Sequence, residues 1–261
     1  MERVRATTLA RIAIAAAGLD RVRPFGRGRP ATLAALEHIG YAQIDTISVV
    51  GRAHAHVLQV RNPDFHPGEL DRLLEARSIF EYWAHAAAYL PMRDFRFALP
   101  RMRRLAAGGT HWAGSDARTK QAVLRRIRDE GPLGARDFEA PVGHRNGWWS
   151  WKPAKAALER LFHEGALMVV SRSGFEKRFD LTERVLPAGT DTREPDAAEQ
   201  AAHLVASARR ALGVFRPAHV THLRRDPALR ARVAEQLDAD LAEGRLRQVR
   251  ILDDAGRAPW Y

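Results

Sequence analysis

Apolar side chains recur along this chain mainly at intervals of three and four, the period of a helix with one face turned inward. Leu9, Ile12 and Ala16 form such a stripe after Thr7 and Thr8, which have the chemistry to cap a helix, and Gly18 stands where a left-handed terminal residue belongs. An Arg/Pro/Gly-rich stretch, residues 21–30, separates that helix from a second short one ending at Gly40. Further amphipathic segments are predicted over residues 47–60 and from Pro67 to near Arg77. Ile79-Phe80-Glu81-Tyr82-Trp83 has the composition of a strand, and the basic segment that follows, residues 92–105, should be kinked or interrupted by Pro100.

After a Gly/Thr/Ser-rich break at residues 108–115 the pattern starts again. It predicts a helix over 116–130 stopped by Gly131-Pro132, a short helix over 133–139, and a longer helix opened by Pro153 and running to His163. A hairpin follows, with 167–170 and 175–179 flanking Ser171-Arg172-Ser173-Gly174. A third succession gives helices over 197–212, 217–224 and 228–243, then a strand over 248–252 and a turn at Asp253-Asp254-Ala255-Gly256. Helix, short helix, longer helix and strand pair in that order is the layout of a winged helix. The expected fold class is therefore mainly α with small β-hairpins, built of tandem winged-helix (helix-turn-helix) units at 1–112, 113–190 and 191–261. Trp260 and Tyr261 fall where the last strand should return, so a truncated hairpin and an apolar terminus are expected there.

Charge narrows the class of partner. The 261 residues carry 42 Lys+Arg against 31 Asp+Glu, a net charge of +11, and 46% of them are hydrophobic, enough to bury a sizeable core. Residues 1–112 hold +6 of that charge, 113–190 hold +4 and 191–261 only +1, which places the polyanion surface on the first two expected units. Only Lys120, Lys152, Lys155 and Lys177 are lysines, so the cations are mostly planar arginine forks suited to phosphate and guanine edges; a GC-biased genome accounts for the same bias. With no cysteine, disulfides, thiolate metal sites and cysteine nucleophiles are excluded, and a cytoplasmic location fits. No apolar run reaches the ~20 residues that a membrane-spanning helix needs.

Phosphate loops, dinucleotide fingerprints and nucleophile elbows are missing from the sequence. His54 and His56 lie two apart on a predicted helix and point to different sides, which disfavours a shared metal, so no cofactor is expected. The sharpest small feature is Gln43-Ile44-Asp45. In an extended segment it aims an amide and a carboxylate to one side, able to hold and polarise a water, whereas the plainer reading makes Asp45 a cap for the following helix. Glu81 and His85 offer a second carboxylate and an imidazole. Gly147-Trp148-Trp149-Ser150-Trp151-Lys152-Pro153-Ala154-Lys155 joins aromatic faces to cations at a helix start, as nucleic-acid clefts do, although the tryptophans could equally staple that helix to its neighbours.

Four segments together resemble the YcaQ-type winged-helix DNA glycosylases of bacteria. They are Tyr41 to Val50 with Arg52-Ala53-His54, Glu81-Tyr82-Trp83-Ala84-His85, Gly147 to Pro153, and Asp180-Leu181-Thr182-x-Arg184-Val185-x-Pro187. The resemblance spans nearly the whole chain. It implies a concave DNA-binding surface, excision of alkylated bases including those in interstrand crosslinks, and a Gln-x-Asp catalytic signature at Gln43 and Asp45. It further implies that Arg52, His54, Trp83, His85, Trp148, Trp149, Trp151, Lys152, Lys155 and Arg172 face double-stranded DNA, with the protein a monomer. The family continues into a C-terminal β-rich domain, before which this chain stops. The rival expectation is a non-catalytic winged-helix DNA-binding or regulatory protein in which Gln43 and Asp45 only shape a helix start.

Overall fold

Residues 2–45, 47–48, 50–138, 153–174, 176–224, 226–252 and 259–261 are described by a computed structural model. By internal contacts the chain divides elsewhere than at residues 112 and 190: one unit comprises residues 1–66 and 195–261, the other residues 67–194. The first unit begins with β1 (Glu2–Val4) and α1 (Ala6–Ala16). The N-cap of α1 is Arg5 and makes no side-chain bond, so Thr7 and Thr8 sit inside the first turn instead of capping it. Gly18 does turn the chain, at φ +67°, and a Cβ there would come within 2.9 Å of the Phe25 ring.

α2 (Gly28–Ile39) buries Ala31, Ala35 and Leu36 and ends on left-handed Gly40. Its buried Thr32 accepts a 2.8 Å bond from the amide of Asn62, which also donates to the Gly28 carbonyl. After β2 (Ala42–Gln43) comes α3 (Ala53–Gln59), six residues later than the predicted start. Ile47 spends its N–H on the Asp45 carboxylate, a local turn that competes with helix, and Ile47 and Val50 remain 70% and 92% exposed, so no core rewards an earlier start.

The second unit opens with α4 (Gly68–Glu75) and the hairpin of β3 (Ile79–Trp83) and β4 (Ala87–Pro91). Its register pairs Ile79 with Pro91 and Trp83 with Ala87. After a 3-10 segment, Met92–Ala98, α5 (Leu99–Ala106) carries Pro100 in its first turn; the proline begins a helix, where its missing N–H costs nothing. Asp116 caps α6 (Ala117–Glu130) by accepting from the N–H and hydroxyl of Thr119. The predicted short helix over 133–139 is instead β5 (Leu133–Gly134) and one 3-10 turn, because Leu133 pairs with Phe179 and the Asp137 carboxylate closes the turn on the Gly134 N–H.

α7 (Pro153–His163) starts at its proline, and β6 (Leu167–Ser173), β7 (Glu176–Leu181) and α8 (Thr182–Val185) complete the unit. The strand order β5-β7-β6 behind α6 and α7 is a winged-helix arrangement. Val123 and Ile127 of α6, Leu158 and Leu161 of α7, and Leu167, Val169 and Phe179 of the sheet are all buried.

The chain then returns to the first unit with α9 (Ala197–Leu212), α10 (Pro217–Val220), α11 (Pro227–Ala242) and β8 (Val249–Ile251). Ala201, Val205, Phe215, Val233 and Leu237 form their core. β8 pairs in parallel with β1, a contact that the N-terminal sequence pattern did not announce. Trp260 and Val249 exchange backbone bonds of 3.0 Å, Tyr261 and Phe215 exchange bonds of 2.9 and 3.0 Å, and the Tyr261 and Phe215 rings stack. The apolar terminus expected at these two residues is therefore paired and packed, while the predicted turn at 253–256 lies outside the described residues.

One interaction inside the second unit is costly and exact. Glu81 lies on β3 with a fully buried side chain, and Arg172 of β6 grips both its oxygens, at 2.7 and 2.8 Å, with the Lys177 ammonium 3.7 Å away. Removing one partner leaves the other charge buried and uncompensated, at about 3–5 kcal/mol. Arg172→Met is expected to lower the stability measured by urea denaturation by roughly that amount, and Arg172→Met/Glu81→Leu to recover most of it. A single variant as stable as the parent would show that the pair is not what holds β3 to β6.

Candidate active site and nucleic-acid contacts

Gln43 is the last residue of β2 and is exposed; Asp45, two residues on, is half-buried. Two backbone groups hold the Asp45 carboxylate: Oδ1 accepts from the Ile47 N–H at 3.0 Å and Oδ2 from the Ala53 N–H, in the first turn of α3, at 3.5 Å. The Asp45 N–H in turn donates to Nδ1 of His54 at 3.2 Å. Strand end, loop and helix start thus close on one another through three bonds. Gly51 permits the closure, since a Cβ there would stand 2.9 Å from Nε2 of His56.

The capping geometry weighed for Asp45 is present, and it does not compete with chemistry. The two N–H groups hold a partly exposed carboxylate and fix its direction. His54, expected at the DNA surface, is 7% exposed and uses its ring to hold the Asp45 backbone, so it is a positioning residue. Arg52 is the half-buried N-cap residue of α3. His56, by contrast, is exposed on the same helix.

The remaining sequence-predicted residues have numbers that fall within the second unit's range, 67–194. Trp83 ends β3 and His85 sits in the three-residue turn to β4, both half-buried. Arg172 spends its fork on Glu81 with a side chain only 10% exposed, which removes it from the residues that face DNA. Lys155 is half-buried in the first turn of α7. Trp148, Trp149, Trp151 and Lys152 lie outside the described residues.

A histidine that the sequence reading passed over is the most perturbed group of this unit. His163, at the end of α7, is 2% exposed and packs against Trp83, Phe162 and His111, the last with ring centroids 4.2 Å apart. Burial pushes its pKa down to about 3, assisted by the nearby charges of His111, Lys177, Arg101 and Arg160. Its carbonyl accepts a 2.7 Å bond from the Tyr82 hydroxyl, whose own pKa burial pushes up. Trp83, Trp112 and His163 wall a cavity of about 300 Å³. The sequence signal for it was His111-Trp112 inside the glycine-rich break, a linker composition hiding a large aromatic.

Comparison with known proteins places the chain in a class, the DNA glycosylases. A family model described as AlkZ-like, DNA glycosylase AlkZ-like, matches residues 36–261, so the chain belongs to the AlkZ-like DNA glycosylases, enzymes that hydrolyse N-glycosidic bonds in DNA. Among solved structures the chain is similar to the Streptomyces sahachiroi DNA glycosylase AlkZ, with a TM-score of 0.64 at 15% identity over 99% of this chain and 70% of that one. At that identity the likeness concerns the fold. The Gln43/Asp45 segment falls inside the family match.

His163 gives the unit a pH signature. Its folded pKa lies below the unfolded value near 6.5, so the unfolded chain binds the extra proton and stability is complete only above that value. Stability should fall as pH drops from 7 towards 5, by on the order of 1–2 kcal/mol, and continue falling towards pH 3. In His163→Gln the slope of melting temperature against pH between 7 and 5 should flatten; an unchanged slope would mean that other groups carry it.

Proposed function

We propose that this chain is a monofunctional glycosylase that releases N7-alkylated purines from double-stranded DNA, including purines tied into interstrand crosslinks. It acts as a monomer in the cytoplasm and needs no cofactor. An N7-alkylated guanine already carries positive charge, so its departure needs little protonation, and the task left to the protein is to stabilise a sugar cation and deliver water. Asp45 orients or deprotonates that water and offsets the oxocarbenium charge; Gln43 holds the water by its amide. The observation that carries this reading is the clamp on Asp45, in which the Ile47 and Ala53 N–H groups hold a half-buried carboxylate and the His54 ring holds its backbone N–H, two residues after an exposed glutamine.

Family membership supports the reaction class, and the net charge of +11 supports a polyanionic substrate. Arg52, Lys155, Lys152 and the Trp148/Trp149/Trp151 cluster are assigned to DNA contact, together with Trp83 and His85; His54 and Arg172 are reassigned to the scaffold. The sequence places no lysine near the motif, so a Schiff base and strand cleavage are not part of the mechanism.

Asp45→Asn keeps an oxygen for the Ile47 or Ala53 N–H and removes the charge. Release of 7-methylguanine from methylated duplex DNA should fall roughly 10²–10⁴-fold, with duplex affinity and melting temperature nearly unchanged. An Asn variant that retains most of the excision rate would remove Asp45 from the chemistry and favour the capping role alone.

A further inference from the structure

The cavity in the second unit has walls that the excision chemistry of Gln43 and Asp45 does not use. Trp83, Trp112, Tyr82 and Phe162 supply aromatic surface around it, with His163, Lys177 and Glu159 as its polar members. Its volume, about 300 Å³, is at the lower end of small-molecule sites, suited to one small flat ring. Trp112 is 61% exposed, a large indole left in water on a loop between Gly108 and Gly114. Its ring stands edge to face with His163, centroids 6.5 Å apart.

Two further features define what would fit. Nδ1 of His163, a lining residue, is buried and has no hydrogen-bond partner among the described residues, so hydrogen-bonding capacity is left unspent beside the cavity. The charges around it disfavour a cationic ring. Glu159 is answered by Lys177 at 3.0 Å, while the Arg101 guanidinium lies 5.6 Å over the Trp83 ring, which leaves a positive surplus beside aromatic faces. His163 itself stays neutral in that setting. A neutral flat ring carried on an anionic strand satisfies all three conditions: a face to stack on an indole, a polar edge for an imidazole, and a phosphate for the cations.

We propose that this cavity receives one unstacked, neutral nucleobase of a DNA strand, stacked on Trp112 and read at its edge by His163. The inference rests on the chain being a DNA glycosylase, and is independent of the roles given to Gln43 and Asp45. A glycosylase that opens a duplex must park bases removed from the stack, and a neutral site serves an undamaged base, whereas the leaving ring of an N7-alkylated purine is cationic.

The test is a coupling cycle read by binding. One probe is a short single strand whose only base is a central 2-aminopurine, with abasic tetrahydrofuran at every other position; the second probe is abasic throughout. The base should tighten binding to the parent protein roughly 5- to 100-fold and its fluorescence should be quenched. With Trp112→Ala, a change at an exposed side chain, both probes should bind with the weaker affinity and quenching should be lost. A base effect equal in the two proteins, or no base effect in the parent, overturns the inference. Excision of 7-methylguanine is scored on the same preparations: excision intact with the cycle absent removes the base site alone, and the cycle intact with excision absent removes the proposed reaction alone.

Discussion

A carboxylate with no exposed surface must be neutralised where it lies, and in the second unit that demand fixes the geometry of much else. Glu81 on β3 is met by the fork of Arg172 on β6, and Lys177 on β7 stands close enough to share its charge while bonding Glu159 of α7. One buried anion therefore ties a hairpin, a wing and a helix together through directional bonds that tolerate little displacement. Trp83, two residues along β3 from Glu81, and Lys177 are positioned by the same ties, so the aromatic cavity inherits its shape from the ion pair. An arginine near the end of a wing strand in a DNA-binding protein invites assignment to phosphate; here its partner is internal.

The Gln43/Asp45 segment solves a different problem with weaker materials. Among the described residues of this loop, Ile47 and Val50 leave their apolar side chains exposed, and these contribute nothing to holding it. What order it has comes from polar closure: a carboxylate on two N–H groups and an imidazole on a third. Net hydrogen bonds of this kind are each worth about 1 kcal/mol, so the loop is defined without being rigidly braced. Under the proposed function such a compromise is useful, because the carboxylate would have to keep its direction while an extruded nucleotide passes beside it.

Much of this was legible in the sequence, and the failures have physical causes. Helical periodicity and punctuation found α6, α7, α9 and the β6–β7 wing because each carries its own apolar stripe and its own stop signal. The strands β1, β4 and β5 were missed because pairing, and not local pattern, makes them strands: β1 and β5 pair with Val249 to Ile251 and with Phe179, far along the chain, and β4 pairs with β3 across a short turn that the sequence did not mark. The Gln-x-Asp motif stood out as a spacing, but its support did not, since nothing in the sequence says that the His54 ring accepts from the Asp45 backbone. His163 was invisible for the opposite reason: a histidine on the buried face of an amphipathic helix reads as an ordinary core position until its neighbours are known.

Net charge also needs reinterpretation once partners are visible. Several arginines serve helix ends, where carbonyls lack intrahelical donors and the dipole favours a cation. Arg61 donates to the Ala17 carbonyl beyond α1, Arg160 to those of Leu105 and Gly109 around the end of α5, and Arg184 to those of Ile127 and Arg128 in the last turn of α6. A planar fork reaches two carbonyls at once, as Arg160 and Arg184 do, whereas an ammonium presents a single point of charge. The arginine bias is thus partly a folding device, and the share of the +11 that faces DNA is smaller than the total. That shifts more of the burden of recognition to aromatic surface such as Trp112, which is exposed beside a ring-sized cavity.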